Sequence, residues 1–283
     1  MKRRGFLALA AGAALAANAG AQAPRSRAVP GGVALVLGGG GCRGYGHVGV
    51  LRVLEQNGLR PDLVVGASAG SLVGALFAAG LGAEAIEKLG TRLSPNMLRD
   101  WVFPGLGMFS GAGIARFVHA QIGQVAIESL PTRFAAVTTD LRSGEMVVLE
   151  RGDAGRAVQA SSSAPGLLEP VRIGERLLVD GNLSAPVPVA AARRLGARKV
   201  IAVDVSFPPE QADLDDPFDA LYQGFSILTR RLALEERASA DVTIEPPIPE
   251  HRRMSRATIA EHVAAGEQGA RAALPAIRKL FAG

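Results

Sequence analysis

The segment with the clearest chemical character is residues 66–70, which read GASAG. Ser68 stands at its centre, two residues from a glycine on each side. It follows an apolar run at residues 63–65 and leads into a small, apolar helical stretch at residues 68–79. A G-x-S-x-G sequence between a strand and a helix is typical of a nucleophile turn, in which a strained backbone exposes the serine hydroxyl. The alternative is a glycine-rich packing turn in which Ser68 only caps the helix. The flanking strand and helix favour the nucleophile.

A serine hydroxyl is a weak nucleophile and needs a base within hydrogen-bonding distance. Asp180 is the best-placed acid, because it follows the apolar run at residues 177–179 and precedes Gly181. A carboxylate at the C-terminal end of a strand faces the crevice in which open α/β sheets bind their ligands. We therefore predict that Asp180 is the base for Ser68.

A histidine base is the alternative, and the chain has four histidines. His47 falls within the helix predicted after a glycine-rich loop, and His119 lies in the irregular middle of the chain. His251 and His262 follow Asp180, so the order Ser, Asp, His is formally present. Neither stands in a loop directly after a well-defined late strand. A His-dependent α/β-hydrolase therefore stays open as an interpretation.

The glycine-rich loop is residues 39–44, which read GGGCRG and follow a buried apolar strand. It matches the G-x-G-x-x-G fingerprint of dinucleotide-binding folds, but the second strand lacks the terminal acid that would hold a ribose. The favoured interpretation is an oxyanion hole, because successive glycines at a helix start let N–H groups converge on a negative charge. We predict Gly39, Gly40 and Gly41 as its donors. Arg43 is predicted either to contact an anionic head group or to bond nearby carbonyls.

Apolar runs alternate with helical patterns along the chain, which is typical of an α/β fold with a mostly parallel sheet. The predicted strands are residues 33–37, 63–65, 134–139, 146–149, 177–179, 200–205 and 242–244. The predicted helices are residues 47–57, 68–79, 154–160, 187–195, 218–237 and 259–281. Residues 81–130 are less regular. Within them, residues 105–113 predict a glycine-rich loop that forms either a rim or lid of the site or a simple connection.

Composition narrows the classes of function. The single cysteine, Cys42, allows no disulfide within the chain, and the histidine spacing suggests no metal site. The net charge of +5 falls to +2 without residues 1–23, and the scattered basic residues predict no nucleic-acid partner. Beyond the N-terminus there is no run of 18 apolar residues, so no transmembrane segment is predicted for the mature chain.

Residues 1–23 predict an export signal. A basic start with Arg3 and Arg4 is followed by an apolar stretch at residues 5–17, too short to span a bilayer, and then by small residues. The paired arginines resemble a twin-arginine signal, and an ordinary secretory signal with two chance arginines is the alternative. We therefore expect an exported, periplasmic bacterial protein in which residues 31–283 form a single domain.

Three stretches taken together resemble the patatin-like phospholipase family: residues 39–44, residues 66–70 and residues 180–182, which read DGN. Residues 160–166 (ASSSAPG) and 186–189 (PVPV) also resemble the segments around the aspartate of that family. The similarity covers most of the chain beyond the N-terminal signal. The combination is far more specific than any one of these motifs.

This resemblance implies a three-layer α/β/α sandwich and a Ser–Asp dyad without histidine. Ser68 would attack a lipid ester carbonyl, and Asp180 would take the proton and later activate water. Amides near Gly40 and Gly41 would form the oxyanion hole, with no metal or cofactor. The implied substrate is a phospholipid, lysophospholipid or related lipid ester, met at a membrane surface. Asn182 departs from the family's usual Gly or Ala, which bears on turn geometry and substrate shape. A catalytically silent lipid-binding protein on the same fold is the remaining alternative.

Overall fold

The described part of the chain begins at the first predicted strand. The computed structural model describes residues 32–91, 100–102, 105–208, 215, 217–249 and 255–282. The predicted export signal at residues 1–23 lies outside these residues, as does His251. The strands are β1 Val33–Leu37, β2 Leu63–Ala67, β3 Gly107–Phe109, β4 Arg133–Asp140, β5 Met146–Leu149, β6 Gly166–Leu168, β7 Val171–Ile173, β8 Arg176–Asp180, β9 Lys199–Val203 and β10 Val242–Ile244. The α-helices are α1 Tyr45–Gln56, α2 Ala69–Ala78, α3 Ala83–Gly90, α4 Ala112–Ile122, α5 Ala154–Ser161, α6 Val189–Arg194, α7 Pro217–Arg237 and α8 Arg256–Ala282.

The central sheet is covered by helices on both faces. Its parallel part has the strand order β10-β9-β1-β2-β4. Successive side chains of a strand point to opposite faces, so Leu35 and Leu37 of β1 pack with α1, α2 and α8. Ala34 and Val36 pack on the other face with α6 and with Ala233 of α7. The α/β/α sandwich with a mostly parallel sheet is confirmed.

Strand β4 is longer than its neighbours and pairs with two strands along one of its edges. Residues 133–137 pair with β2 in parallel, and residues 138–140 pair with β8 in the antiparallel sense. Residues 136–139 also pair with β5. A residue within a sheet pairs with one residue on each side of its strand. Strand β5 therefore lies along one edge of β4, and β2 and β8 share the other edge.

Strands β2 and β8 therefore meet end to end along β4. Ala67, the last residue of β2, lies opposite Val137. Asp180, the last residue of β8, lies opposite Thr138. Because β8 runs antiparallel to β4, its C-terminal end comes directly against the C-terminal end of β2. This register brings the segment after Ala67 to Asp180.

Short strands are the main difference from the sequence prediction. The loop predicted at residues 105–113 instead contains β3 and the beginning of α4. Strand β3 pairs with β6, which lies far along the chain. A three-residue strand has no periodicity of its own, and its partner is set by tertiary contacts, so single-sequence patterns do not reveal it.

A buried ionic cluster follows β9 and holds α7 against the sheet. The Asp204 side chain is 0% exposed, and its Oδ2 accepts hydrogen bonds from Nη1 of Arg230 and Nη1 of Arg237, each at 2.8 Å. Its Oδ1 accepts from the Ser206 N–H at 2.9 Å and from the Ser206 hydroxyl at 2.6 Å. Glu245 forms ion pairs with both arginines as well. The buried carboxylate is thus satisfied by four donors.

Removing that carboxylate should destabilise the fold strongly. We expect Asp204→Ala to lower the free energy of unfolding by about 3 kcal/mol, because it breaks a buried pair and leaves two largely buried guanidinium groups short of an acceptor. Urea denaturation measures the change. The matched control is Glu84→Ala, which breaks the exposed pair between Glu84 and Lys88 and should change stability little. Equal effects of the two substitutions would contradict this account.

Candidate active site

The serine turn carries backbone strain. Ser68 has φ 49° and ψ −123°, and it is the only non-glycine residue with positive φ in the part of the chain that the structure describes. Such a conformation costs about 1–3 kcal/mol and persists only where neighbours enforce it. The Ser68 N–H donates to the Ser161 carbonyl at 3.1 Å and to the Ser161 hydroxyl at 3.0 Å. That hydroxyl in turn donates to the Val137 carbonyl at 2.6 Å.

The two glycines of the GASAG turn are required by packing. A Cβ at Gly66 would overlap the backbone of Gly70 and Ser71. A Cβ at Gly70 would overlap the carbonyl of Leu37. The start of α2 can therefore pass directly over the ends of β1 and β2 only because both positions lack a side chain. The predicted strand–turn–helix context of Ser68 is confirmed.

Ser68 and Asp180 are hydrogen-bonded. The Ser68 Oγ donates to Asp180 Oδ2 at 2.8 Å, and both residues are largely buried. The other carboxylate oxygen, Oδ1, accepts from the Asn182 N–H at 2.9 Å. Burial raises the pKa of Asp180 to about 6, and the bonds from Asn182 and Ser68 oppose that rise. The carboxylate is therefore a stronger proton acceptor than an exposed aspartate.

The C-terminal end of α5 and the residues that follow it hold both residues of this pair. This segment binds the Ser68 amide through Ser161, and the Ser163 carbonyl accepts from the Asp180 N–H at 2.9 Å. On the other side of Asp180, the Thr139 hydroxyl donates to its carbonyl at 2.9 Å. The sequence analysis assigned no role to Ser161. The serine-rich ASSSAPG run was its only visible signal.

The glycine-rich loop follows β1 and lies beside the serine turn. A Cβ at Gly44 would come within 2.7 Å of the Ala69 Cβ. The Gly39 N–H donates to the Pro186 carbonyl at 2.9 Å, so this amide is occupied and the prediction of Gly39 as an oxyanion donor needs correction. The Gly40 and Gly41 amides have no acceptor among the residues that the structure describes. They stay the predicted oxyanion donors.

Asn182 links the loop to Asp180. A Cβ at Gly39 would overlap the Asn182 carboxamide, so the two residues are in direct contact. The Asn182 Oδ1 is buried there without a hydrogen-bond partner in the described part of the chain. Through its backbone N–H the same residue binds the Asp180 carboxylate. The unusual third residue of the DGN motif is therefore accommodated because position 39 is glycine.

Arg43 is buried beneath the loop. Its Nε donates to the Val205 carbonyl at 3.0 Å, and its Nη1 donates to the Ile248 carbonyl at 3.1 Å. The guanidinium also lies 5.1 Å from the centre of the Phe207 ring. These contacts favour the structural alternative for Arg43 over contact with a head group.

The three histidines that the structure describes form hydrogen bonds with groups other than Ser68. His47 Nε2 lies 2.7 Å from the Gly38 carbonyl, and burial lowers the pKa of His47 to about 4. His119 Nε2 lies 2.8 Å from Asp153 Oδ1, at the opposite end of α5 from Ser161. His262 Nδ1 lies 3.3 Å from the Cys42 carbonyl. The same residues contain no group of three or more His, Cys, Asp or Glu arranged to hold a metal ion.

The contact between Gly39 and Asn182 gives a reciprocal test. We expect Gly39→Ala to lower kcat/KM for a soluble ester at least about tenfold, because a displaced Asn182 no longer holds the Asp180 carboxylate. The double variant Gly39→Ala/Asn182→Gly should recover most of that loss, as measured in a double-mutant cycle. Gly82→Ala is the control, since a Cβ there meets only ordinary contacts. A double variant no better than Gly39→Ala would argue against the contact.

Curated relatives share the region that contains these motifs. A mouse protein named "Patatin-like phospholipase domain-containing protein 6" is 36% identical over 208 residues, which are 71% of this chain and 15% of the mouse protein. "Lysophospholipase NTE1" of Debaryomyces hansenii is 33% identical over 205 residues, or 70% of this chain and 13% of the yeast protein. An uncharacterised NTE family protein of Mycobacterium tuberculosis is 36% identical over 62% of this chain and 49% of its own length. The chain thus spans half or less of these relatives.

A solved structure shares the fold. VipD from Legionella pneumophila superposes with a TM-score of 0.57 at 14% sequence identity, covering 88% of this chain and 66% of VipD. The family model described as "Patatin-like phospholipase" matches residues 35–193, more than half of the chain. That match includes the glycine-rich loop, the serine turn and the DGN motif. The chain therefore belongs to the patatin-like phospholipase family.

Proposed function

We propose that this protein is a serine acyl-ester hydrolase in which Ser68 is the nucleophile and Asp180 is the general base. The observation that carries the proposal is the buried 2.8 Å hydrogen bond from Ser68 Oγ to Asp180 Oδ2. Acyl transfer requires a nucleophile and a base in direct contact, beside main-chain amides that, as here among the described residues, have no acceptor. Family membership supports the same chemistry.

In the first half of the reaction, Ser68 Oγ attacks the ester carbonyl carbon while its proton passes to Asp180. The negative charge that develops on the carbonyl oxygen is stabilised by the Gly40 and Gly41 amides and by the N-terminal end of the helix that they precede. Collapse of the tetrahedral intermediate breaks the ester C–O bond. Asp180 returns the proton to the departing alcohol, which leaves an acyl group on Ser68.

In the second half, Asp180 takes a proton from water as the water oxygen attacks the acyl carbon. The fatty acid leaves, and Ser68 Oγ recovers its proton from Asp180. Both halves use the same base, so neither a metal nor a cofactor is needed. A pKa near 6 suits this role, since the carboxylate is ionised at neutral pH and still accepts protons more readily than an exposed aspartate.

The proposed substrates are phospholipids, lysophospholipids and related lipid esters at a membrane surface. The names of the relatives support this class, because they include a phospholipase domain and a lysophospholipase. The described residues contain no helix with the length and hydropathy to cross a bilayer. No nucleic-acid partner is proposed.

We also propose export to the periplasm, with residues 31–283 acting as one catalytic domain. The support is the sequence of residues 1–23, which combines Arg3 and Arg4 with an apolar stretch and small residues before the first strand. Fractionation of cells that express the full chain tests the location.

Replacing either residue of the dyad should abolish activity. We expect Ser68→Ala and Asp180→Asn each to lower the kcat for short p-nitrophenyl esters by about 10³-fold or more, since each removes a group that acts in the transition state. A fluorophosphonate probe should label the wild-type protein and not Ser68→Ala. Ser129→Ala, which removes an exposed hydroxyl, is the control. Full activity in Ser68→Ala would end the proposal, and failure of the wild-type protein to react with the probe would favour a silent lipid-binding protein.

A histidine mechanism predicts a different outcome, which His251→Gln tests directly. Loss of activity in that variant would favour the His-dependent alternative. Unchanged activity is expected if Asp180 is the base.

The pH dependence follows from the pKa of Asp180. Because the base acts in its ionised form, kcat/KM for a soluble ester should be level above about pH 6 and fall about tenfold per pH unit below it. Initial rates measured from pH 4 to pH 8 give this profile. An exposed aspartate would keep full activity down to about pH 4, and such a profile would contradict the raised pKa.

A further inference from the structure

Large apolar side chains are exposed in two groups near the dyad. The first, the strand rim, consists of Trp101, Leu106, Met108 and Leu167 around the small β3–β6 sheet. The second, the helix rim, consists of Leu221, Tyr222, Phe225 and Leu228 in the first half of α7. Exposed apolar side chains that cluster on one part of a protein mark a candidate binding surface.

The strand rim follows directly, along the chain, the segment that binds Asp180. Strand β6 begins at Gly166, three residues after Ser163, whose carbonyl binds the Asp180 N–H. Met108 lies in β3, the partner of β6. Trp101, which is 73% exposed, contacts the Phe109 ring at a centroid distance of 4.8 Å. The exposed apolar groups of this rim therefore border the segment that holds the dyad.

The helix rim lies near the glycine-rich loop. The Tyr222 ring meets the Phe207 ring edge-on at 6.3 Å, and Phe207 lies under the Arg43 guanidinium of the loop. The first half of α7 therefore lies beside the glycine-rich loop that follows β1.

The rest of the helix rim forms one stripe. At 3.6 residues per turn, Leu221, Phe225 and Leu228 fall within an arc of about 60°. Leu221 and Leu228 are 62% and 63% exposed. Ile227 and Leu234 are also exposed, at 44% and 43%, but they lie roughly 130° away around the helix. The helix therefore offers an internal control of similar chemistry on its other flank.

A lipid–water interface fits these rims better than a charged partner. The eight side chains of the two rims carry no charge, and Tyr and Trp are the aromatic residues favoured at the head-group level of a membrane. Asp215 and Asp219 stand at the N-terminal end of α7, which disfavours an anionic lipid surface. An ester substrate that resides in a bilayer also has to reach the crevice from that side.

We propose that the strand rim and the helix rim together dock this protein onto a zwitterionic lipid surface, with the crevice of Ser68 and Asp180 opening toward the lipid. The proposal rests on the proposed function, since it places the lipid ester between the two rims. Apolar side chains on both sides of the crevice enter the interface, and a lipid acyl chain passes between them without crossing water.

The test uses the full chain carrying Ser68→Ala, so that lipid is bound without turnover, and sedimentation with phosphatidylcholine vesicles. We expect Leu221→Ser/Phe225→Ser/Leu228→Ser to weaken vesicle partitioning by about tenfold or more, because three apolar side chains are lost from the interface. The matched control Ile227→Ser/Leu234→Ser should partition like the parent. Thermal melting of each variant checks that it folds, and Leu228→Ser alone serves as the milder variant if the triple variant does not.

Three outcomes would overturn the proposal. The first is a parent protein that does not bind the vesicles, and the second is an equal loss in the helix-rim and control variants. The third is a parent dimer in solution that the helix-rim variant dissociates while vesicle binding is unchanged, which would assign the rim to a second copy of the chain. Hydrolysis of a soluble ester by the protein with native Ser68 tests the proposed function separately, so failure of docking and failure of catalysis are distinguishable.

Discussion

The site depends on the way in which two strands share one edge of β4. Strand β2 ends opposite Val137, and strand β8 ends opposite the next residue, Thr138. Main-chain hydrogen bonds fix this register, and a slip of one residue would turn every side chain of a strand to the other face of the sheet. The distance between Ser68 and Asp180 is therefore set by the ladder, although the two residues are 112 positions apart in the chain.

Two features of the site oppose folding. Ser68 adopts a backbone conformation that L-residues rarely occupy, and Asp180 carries a carboxylate whose burial raises its pKa. Both residues are held by hydrogen bonds with groups outside the two motifs: Ser161 accepts from the Ser68 N–H, and the Thr139 hydroxyl donates to the Asp180 carbonyl. The well-packed cores on both faces of the sheet supply the stability against which such strained groups can persist.

The buried ionic cluster connects this scaffold to the surface around the crevice. Asp204 anchors α7 through Arg230 and Arg237, which lie in the second half of the helix. The first half of the same helix is thereby positioned over the glycine loop, where Tyr222 meets Phe207. A contact deep in the fold thus determines where exposed apolar side chains stand relative to Ser68 and Asp180.

Much of the fold and of the site could be predicted from the sequence, because the relevant signals are local. Apolar runs indicated β1 and β2, a G-x-S-x-G turn indicated Ser68, and an acid followed by glycine at a strand end indicated Asp180. The short strands β3, β6 and β7 were missed, since three residues carry no periodicity and their pairing depends on distant partners.

Tertiary structure alone decided how the predicted residues are used. In the folded chain the Gly39 N–H donates to the Pro186 carbonyl, and Arg43 donates to two carbonyls. The Ser68 N–H donates to Ser161. A sequence shows which groups can donate or accept, but not which acceptor each donor reaches. That choice follows from strand register and helix placement, because a hydrogen bond requires a partner within about 3 Å and the whole fold sets that distance.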